Sequence, residues 1–268
     1  MEGVKIGNSI EELINSITYE TPSRYTSGRI VEYDIKSANI TMLHKYGKIS
    51  DRYYKYLSVL PKFDREKEIG LLIRNDSSYY DCIKKGISEA KRLLFESNNI
   101  QFNSVVRIAN DAVYVNSSVD LQYTIFGDVV FKQKSIHQVM MKLYNLIIFF
   151  GYNIDGDYNL DIIGINNKNL ELHSAMLSVI ANIIHLLERV SPKDAIQYIN
   201  EFYIDYINFN LPKEFYRELN ATSMYKYSNT KFYLSDIQDV HDIDINYNLY
   251  LLRELYAMAL EKFNLRKN

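Results

Sequence analysis

The chain has no tryptophan, one cysteine, four prolines and ten glycines among its 268 residues. A single thiol, Cys82, excludes a disulfide framework and a cysteine-rich zinc site, and it suits a reducing compartment. The N-terminus shows no charged region followed by an apolar one, so no secretory signal is expected. The most apolar run, residues 139–150, is interrupted by Lys142 and Asn145. It falls short of the ~20 residues a bilayer-spanning helix needs, so no membrane partner is expected and the expected location is cytoplasmic. Neither sign of charge dominates: 31 Lys and Arg oppose 33 Asp and Glu, a net charge of −2. That balance excludes a uniformly basic coat for nucleic acid, though not a local basic patch. A Walker A loop, a Gly-x-Gly-x-x-Gly turn and a His-Glu-x-x-His pair are all missing.

What is present describes a folded protein. Hydrophobic residues make up 47% and charged residues 24%, which suits a cored domain and rules out bulk disorder. The 24 tyrosines, with abundant Asn, Ile and Lys, reflect A/T-rich codons such as many phages and some bacteria use.

Element signals alternate along the first half. A strand is expected over 29–35, a helix over 36–46 closed by Gly47, and a second helix over 50–59 that stops near Pro61. A longer helix is expected over 77–97, with Ile83, Ile87, Ala90, Leu93 and Leu94 on one face. Residues 104–116 read as two strands around a tight turn at Asn110-Asp111. A second hairpin is expected over 121–132, turning at Gly127-Asp128, followed by a helix over 136–150. After Gly151 a polar linker leads to helical patterns at 172–190, 192–209 and 247–263, with Ser191-Pro192 as a helix start. These signals predict an α+β fold: a small antiparallel sheet with helices on one face over 1–150, then a mainly helical region over 151–268.

Charge is unevenly placed. Residues 44–93 hold 12 Lys and Arg against 7 Asp and Glu, whereas residues 151–268 hold 11 against 16. The first stretch suits phosphate groups, or is simply a solvated helical surface. Tyr53, Tyr54 and Tyr56 are candidates for stacking on bases or for core packing. Cys82, on a predicted helix without a nearby His, reads as a buried structural thiol. The spacing of Asp155, Asp157, Asn159 and Asp161 is that of a calcium loop, but the glycine and glutamate such a loop needs are missing. His241, Asp242 and Asp244 read as a polar cluster.

Two acids stand out by their setting. Asp34 ends an apolar strand and opens a helix, and Asp111 sits at the tip of an apolar hairpin. Such carboxylates need a counter-charge, and a divalent metal supplies one. The plainer readings are a helix cap for Asp34 and an ordinary turn residue for Asp111.

The order strand–Asp–helix, long helix, strand–Asp–strand resembles the palm of template-directed polymerases. Tyr33-Asp-Ile-Lys-Ser-Ala-Asn-Ile40 resembles motif A of family B DNA polymerases and reverse transcriptases, and Arg107-Ile-Ala-Asn-Asp-Ala-Val-Tyr-Val115 resembles their motif C hairpin. The resemblance implies that Asp34 and Asp111 hold two Mg²⁺ or Mn²⁺ ions, with the Ile35 carbonyl as a further contact. It also implies Arg65, Lys67 and Arg74 as triphosphate contacts, and Lys132 and Lys134 near a primer terminus. Asn39 stands where an aromatic gate for the sugar is expected, so acceptance of ribonucleotides follows. Asn110 replaces the first of the two acids usual in motif C. The implied function is a compact nucleotidyltransferase acting on nucleic acid and nucleoside triphosphates, with further subunits of a split phage polymerase. A non-catalytic phage protein that binds nucleic acid or protein is the alternative, and a metal-dependent nuclease is a third.

Overall fold

A computed structural model describes residues 9–117, 125–126, 129–143, 146–152, 158–164, 174–216 and 246–265. The chain forms an α+β structure of two compact units, one of Met1–Ser23 with Gly28–Ile136, the other of Arg24–Ser27 with His137–Asn268.

The first unit opens with α1 (Ile10–Asn15), capped by the Ser9 hydroxyl. Strands β1 (Thr18–Glu20) and β2 (Tyr25–Ile35) follow, and then four helices: α2 (Ala38–Lys45), α3 (Asp51–Val59), α4 (Lys62–Asn75) and α5 (Ser78–Ser97). The hairpin β3 (Val105–Ala109) and β4 (Ala112–Asn116) completes its centre, with β5 (Ile125–Phe126) pairing the start of β6 (Val129–Leu143). Strand β4 lies between β2 and β3, and β1 flanks β3, all antiparallel.

Alternation along β2 divides its side chains between two faces. Val31, Tyr33 and Ile35 enter a core with Val113 and Ile108 from the hairpin and Ile83, Ile87, Leu94 and Phe95 from α5. Glu32 and Asp34 fall on the opposite face, opposite Tyr114 and Ala112 in the register. Helix α5 approaches α2 closely at Gly86, where a Cβ would meet the Met42 sulfur at 2.6 Å. Helix α4 is not evident from the sequence, because charged residues surround it and Ile69 is its one fully buried side chain.

The second unit contains the rest of β6, then β7 (Leu146–Tyr152) and β8 (Tyr158–Ile163), joined as antiparallel hairpins. Helices α6 (Ser174–His185), α7 (Pro192–Ile207) and α8 (Asn246–Leu265) supply most of its described residues, and α6 continues into one π-helical turn, Leu186–Val190. Ser191 caps α7, accepting from the Asp194 amide, with Pro192 at its start as expected.

The helix expected over 136–150 is instead two strands. Val139 through Met141, Leu143 and Leu146 through Phe150 are all buried, so both strand faces are covered and the alternation that marks a half-exposed strand is absent. The stretch expected to be a linker after Gly151 likewise holds the end of β7 and the start of β8. The Gly127-Asp128 turn, Asp155, Asp157 and the His241 cluster lie outside the described residues.

Candidate functional site

Asp34 is the penultimate residue of β2 and pairs in register with Ala112, so the adjacent Asp111 is carried to its side. The β3–β4 loop is only Asn110-Asp111, the sharp turn expected. Asn110 adopts a left-handed backbone (φ 55°), which Asn tolerates better than most residues, and its amide donates to the Ile17 carbonyl at 2.7 Å. Asp34 does not cap α2. The cap position is Ser37, itself left-handed at φ 52°.

Asp34 lies close enough to Asp111 to act on its carboxyl through charge and hydrogen bonding. Burial first, and then the charge of Asp34, push the Asp111 carboxyl up to about 6, while Lys62 at the start of α4 pulls the other way. Like charges forced together out of water raise a carboxyl in this manner.

Lys91 is the residue that sequence reasoning missed. It is 1% exposed, and its Nζ donates to the Ser16 carbonyl at 2.5 Å. Burial lowers its pKa to about 8, against the pull of Asp111. The available signal was its place on the apolar stripe of α5, one turn after Ile87. The next residue of the α1–β1 connector, Ile17, accepts from Asn110. Residues 16 and 17 thus tie the Asp111 turn to a buried cation.

The first turns of α4 supply the other flank. Asn39 Nδ2 donates to Glu66 Oε2 at 2.8 Å. The Arg65 Nε is buried without a hydrogen-bond partner, with Glu66 Oε1 at 4.0 Å. Of the three cations expected to hold a triphosphate, Arg65 stands beside Glu66. Lys67 and Arg74 lie on the exposed side of α4, Arg74 about 13 Å further along the helix. Ile35 packs its side chain in the core, leaving only its backbone beside Asp34.

Lys132 is exposed on β6. Lys134 sits over a buried carboxylate, its Nζ 2.7 Å from Glu32 Oε1, while the Ser135 hydroxyl donates to Oε2 at 2.7 Å. Burial raises the Glu32 carboxyl, but Lys134, Ser135 and Tyr114 together hold it below the usual range. Tyr53 and Tyr54 pack at the core margin, Tyr53 donating to Glu68 and Tyr54 stacking on His44, which leaves Tyr56 exposed. Cys82 is buried, and burial pushes its thiol up, as a structural role requires.

Two carboxyl groups held side by side present oxygen donors alone. That donor set fits Mg²⁺ or Mn²⁺ better than a softer metal.

A family model described as bacteriophage PBS1 gene 130 protein matches residues 20–261. The chain belongs to this family. The matched span includes Asp34, Asp111, Lys91 and all of α4, and it leaves out α1. Of the phage and bacterial sources that the composition suits, a phage origin is thereby supported. No curated protein matches the chain. Among the described residues no helix is long and apolar enough to cross a membrane.

Proposed function

We propose that this phage protein is a compact palm-type nucleotidyltransferase that extends nucleic acid from nucleoside triphosphates in the host cytoplasm, together with further polymerase subunits. The observation that carries the reading is the meeting of Asp34 and Asp111, from a strand end and a hairpin turn, side by side in the register. Asp34 and Asp111 would hold Mg²⁺ or Mn²⁺, which when bound stabilises the charge that develops in phosphoryl transfer.

The chain's own residues have separable roles. A cation at the pair would compete with the Asp111 proton, so binding is favoured as pH rises through about 6. Lys62 and Arg65, at the start of α4, offer positive charge for a triphosphate. Asn39, held through its amide nitrogen by Glu66, keeps its carbonyl oxygen as an acceptor for a 2′-hydroxyl, which favours ribonucleotides.

A non-catalytic binding protein is the second reading. It is favoured by Lys62 and Lys91, whose charges act on Asp111 and partly satisfy it without any metal. Primer extension by purified protein separates the two, with Mg²⁺ or Mn²⁺ and with dNTPs and NTPs supplied separately. The polymerase reading expects extension, stronger with NTPs, that Asp34→Asn and Asp111→Asn each abolish. Strand loss without any triphosphate would replace it with a nuclease. Binding without extension on any template would favour the second reading.

A further inference from the structure

Helix α4 carries an unusual outer stripe. Phe63, Lys67, Gly70, Leu71 and Arg74 recur at spacings of three and four, which puts them on one side of the helix. Phe63 is 80% exposed and Leu71 46%. Before the Pro61 corner, α3 also has an exposed face at helical spacing, with Val59 81% and Tyr56 49% exposed and Arg52 and Lys55 exposed on the same side. Large apolar groups at such exposure, clustered together, mark a surface that meets something.

The charges select what it meets. Among the described residues Lys67 and Arg74 have no ion-pair partner. The neighbouring acids Glu66 and Glu68 are turned to Asn39 and Tyr53 by hydrogen bonds of 2.8 and 3.2 Å. Asp64 is the one other acid on α4. Gly70 sits mid-helix with nothing within 4 Å of where a Cβ would stand. Packing does not require a glycine there, and its cost to the helix goes unrepaid by the fold. Exposed rings at Phe63 and Tyr56, unpaired cations at Lys67 and Arg74, and a glycine between those two cations match a strand whose bases stack while its phosphates take the charges.

We propose that the outer stripe of α4, with the adjoining corner of α3, is a binding track for single-stranded nucleic acid. Bases stack on Phe63 and extend the stack that Tyr56 already forms with Tyr53, their centroids 5.8 Å apart, and phosphates lie on Lys67, Arg74, Lys55 and Arg52. This assigns Lys67 and Arg74 a role apart from the acidic pair, and it stands whether or not that pair catalyses.

The chain's lack of tryptophan supplies a clean probe. Phe63→Trp in the full-length protein creates a single fluorophore at an exposed position. Titration with 20-nucleotide oligo(dT) and oligo(rU) should quench its emission. Fluorescein-labelled oligomers should bind Phe63→Ala about tenfold more weakly than the unchanged protein. Lys67→Gln with Arg74→Gln should lower the slope of log affinity against log salt by about 1.4, the value for two phosphate contacts on a single strand. All these side chains are solvent-exposed, and unchanged melting temperatures would confirm that the fold survives. Asp34→Asn should bind as the unchanged protein does, and absence of extension by the unchanged protein with intact strand binding would defeat the catalytic reading alone. Unchanged affinity and salt slope in the stripe variants, or unquenched emission with oligomer bound, would overturn the track. So would sedimentation showing that Phe63→Ala dissolves a dimer while strand binding persists, which would make the stripe a protein interface.

Discussion

Asp34 lies near the end of a strand and Asp111 sits in a hairpin turn, yet burial and the charge of Asp34 together raise the Asp111 carboxyl. The native state therefore holds a proton that the unfolded chain releases more readily. Because the folded pKa of Asp111 lies above its unfolded value, this group favours folding at low pH and loses that contribution as pH rises from about 4 to about 6. Asp111→Asn should remove the loss and stabilise the protein at pH 7.5 by about 1–2 kcal/mol after allowance for solvent screening. Urea unfolding at pH 5 and pH 7.5 checks it, and equal pH dependence in both proteins would refute it.

Added Mn²⁺ should raise the melting temperature of the unchanged protein at pH 7.5 and leave Asp111→Asn and Asp34→Asn unmoved. The increment should shrink below pH 6, where the Asp111 proton competes with the cation. A rise of equal size in all three proteins would place the ion elsewhere.

Lys91 works in the opposite direction. Burial lowers its folded pKa to about 8, so the unfolded chain binds more protons above that pH. Its contribution to stability should grow between pH 8 and about 10.5 and vanish in Lys91→Met. Denaturant midpoints across that window provide the measurement.

Glu32 depends on Lys134 and Ser135. Lys134→Ala leaves a buried carboxylate with fewer partners and should cost about 1–3 kcal/mol, near the low end because Lys134 is itself largely solvated. Since the Glu32 carboxyl is held below its ordinary value, its stabilisation is present at neutral pH and fades as pH falls through that lowered value. Lys134→Ala should therefore flatten the acid limb of the unfolding curve.

Two glycines on neighbouring helices should behave oppositely. Gly86→Ala drives a Cβ into Met42, which is fully buried, and should cost about 1–3 kcal/mol, with partial recovery on adding Met42→Ala. Gly70→Ala meets nothing and should stabilise by about 0.5–1 kcal/mol. Thermal unfolding of the variants decides both.

Local physics settled much of this molecule before any tertiary contact. The β-branched run before Asp34, the apolar stripe of α5, the tight Asn110-Asp111 turn and the Ser191-Pro192 helix start are each determined by neighbouring residues, and each is legible in the sequence. The meeting of Asp34 with Asp111 was foreseeable as an expectation from order and spacing. Other features were decided only by folding. Whether residues 139–150 became helix or strand depended on burial of both faces, because a continuous apolar run satisfies either period. Helix α4 has too little buried surface to announce itself, so its existence and the placing of Arg65, Lys67 and Arg74 on different sides of it emerged from packing. Lys91 looked like one more surface cation. Its burial and its bond to the Ser16 carbonyl arise from which helix face the sheet covers, and sequence spacing alone cannot set the electrostatics of a site that long-range contacts enclose.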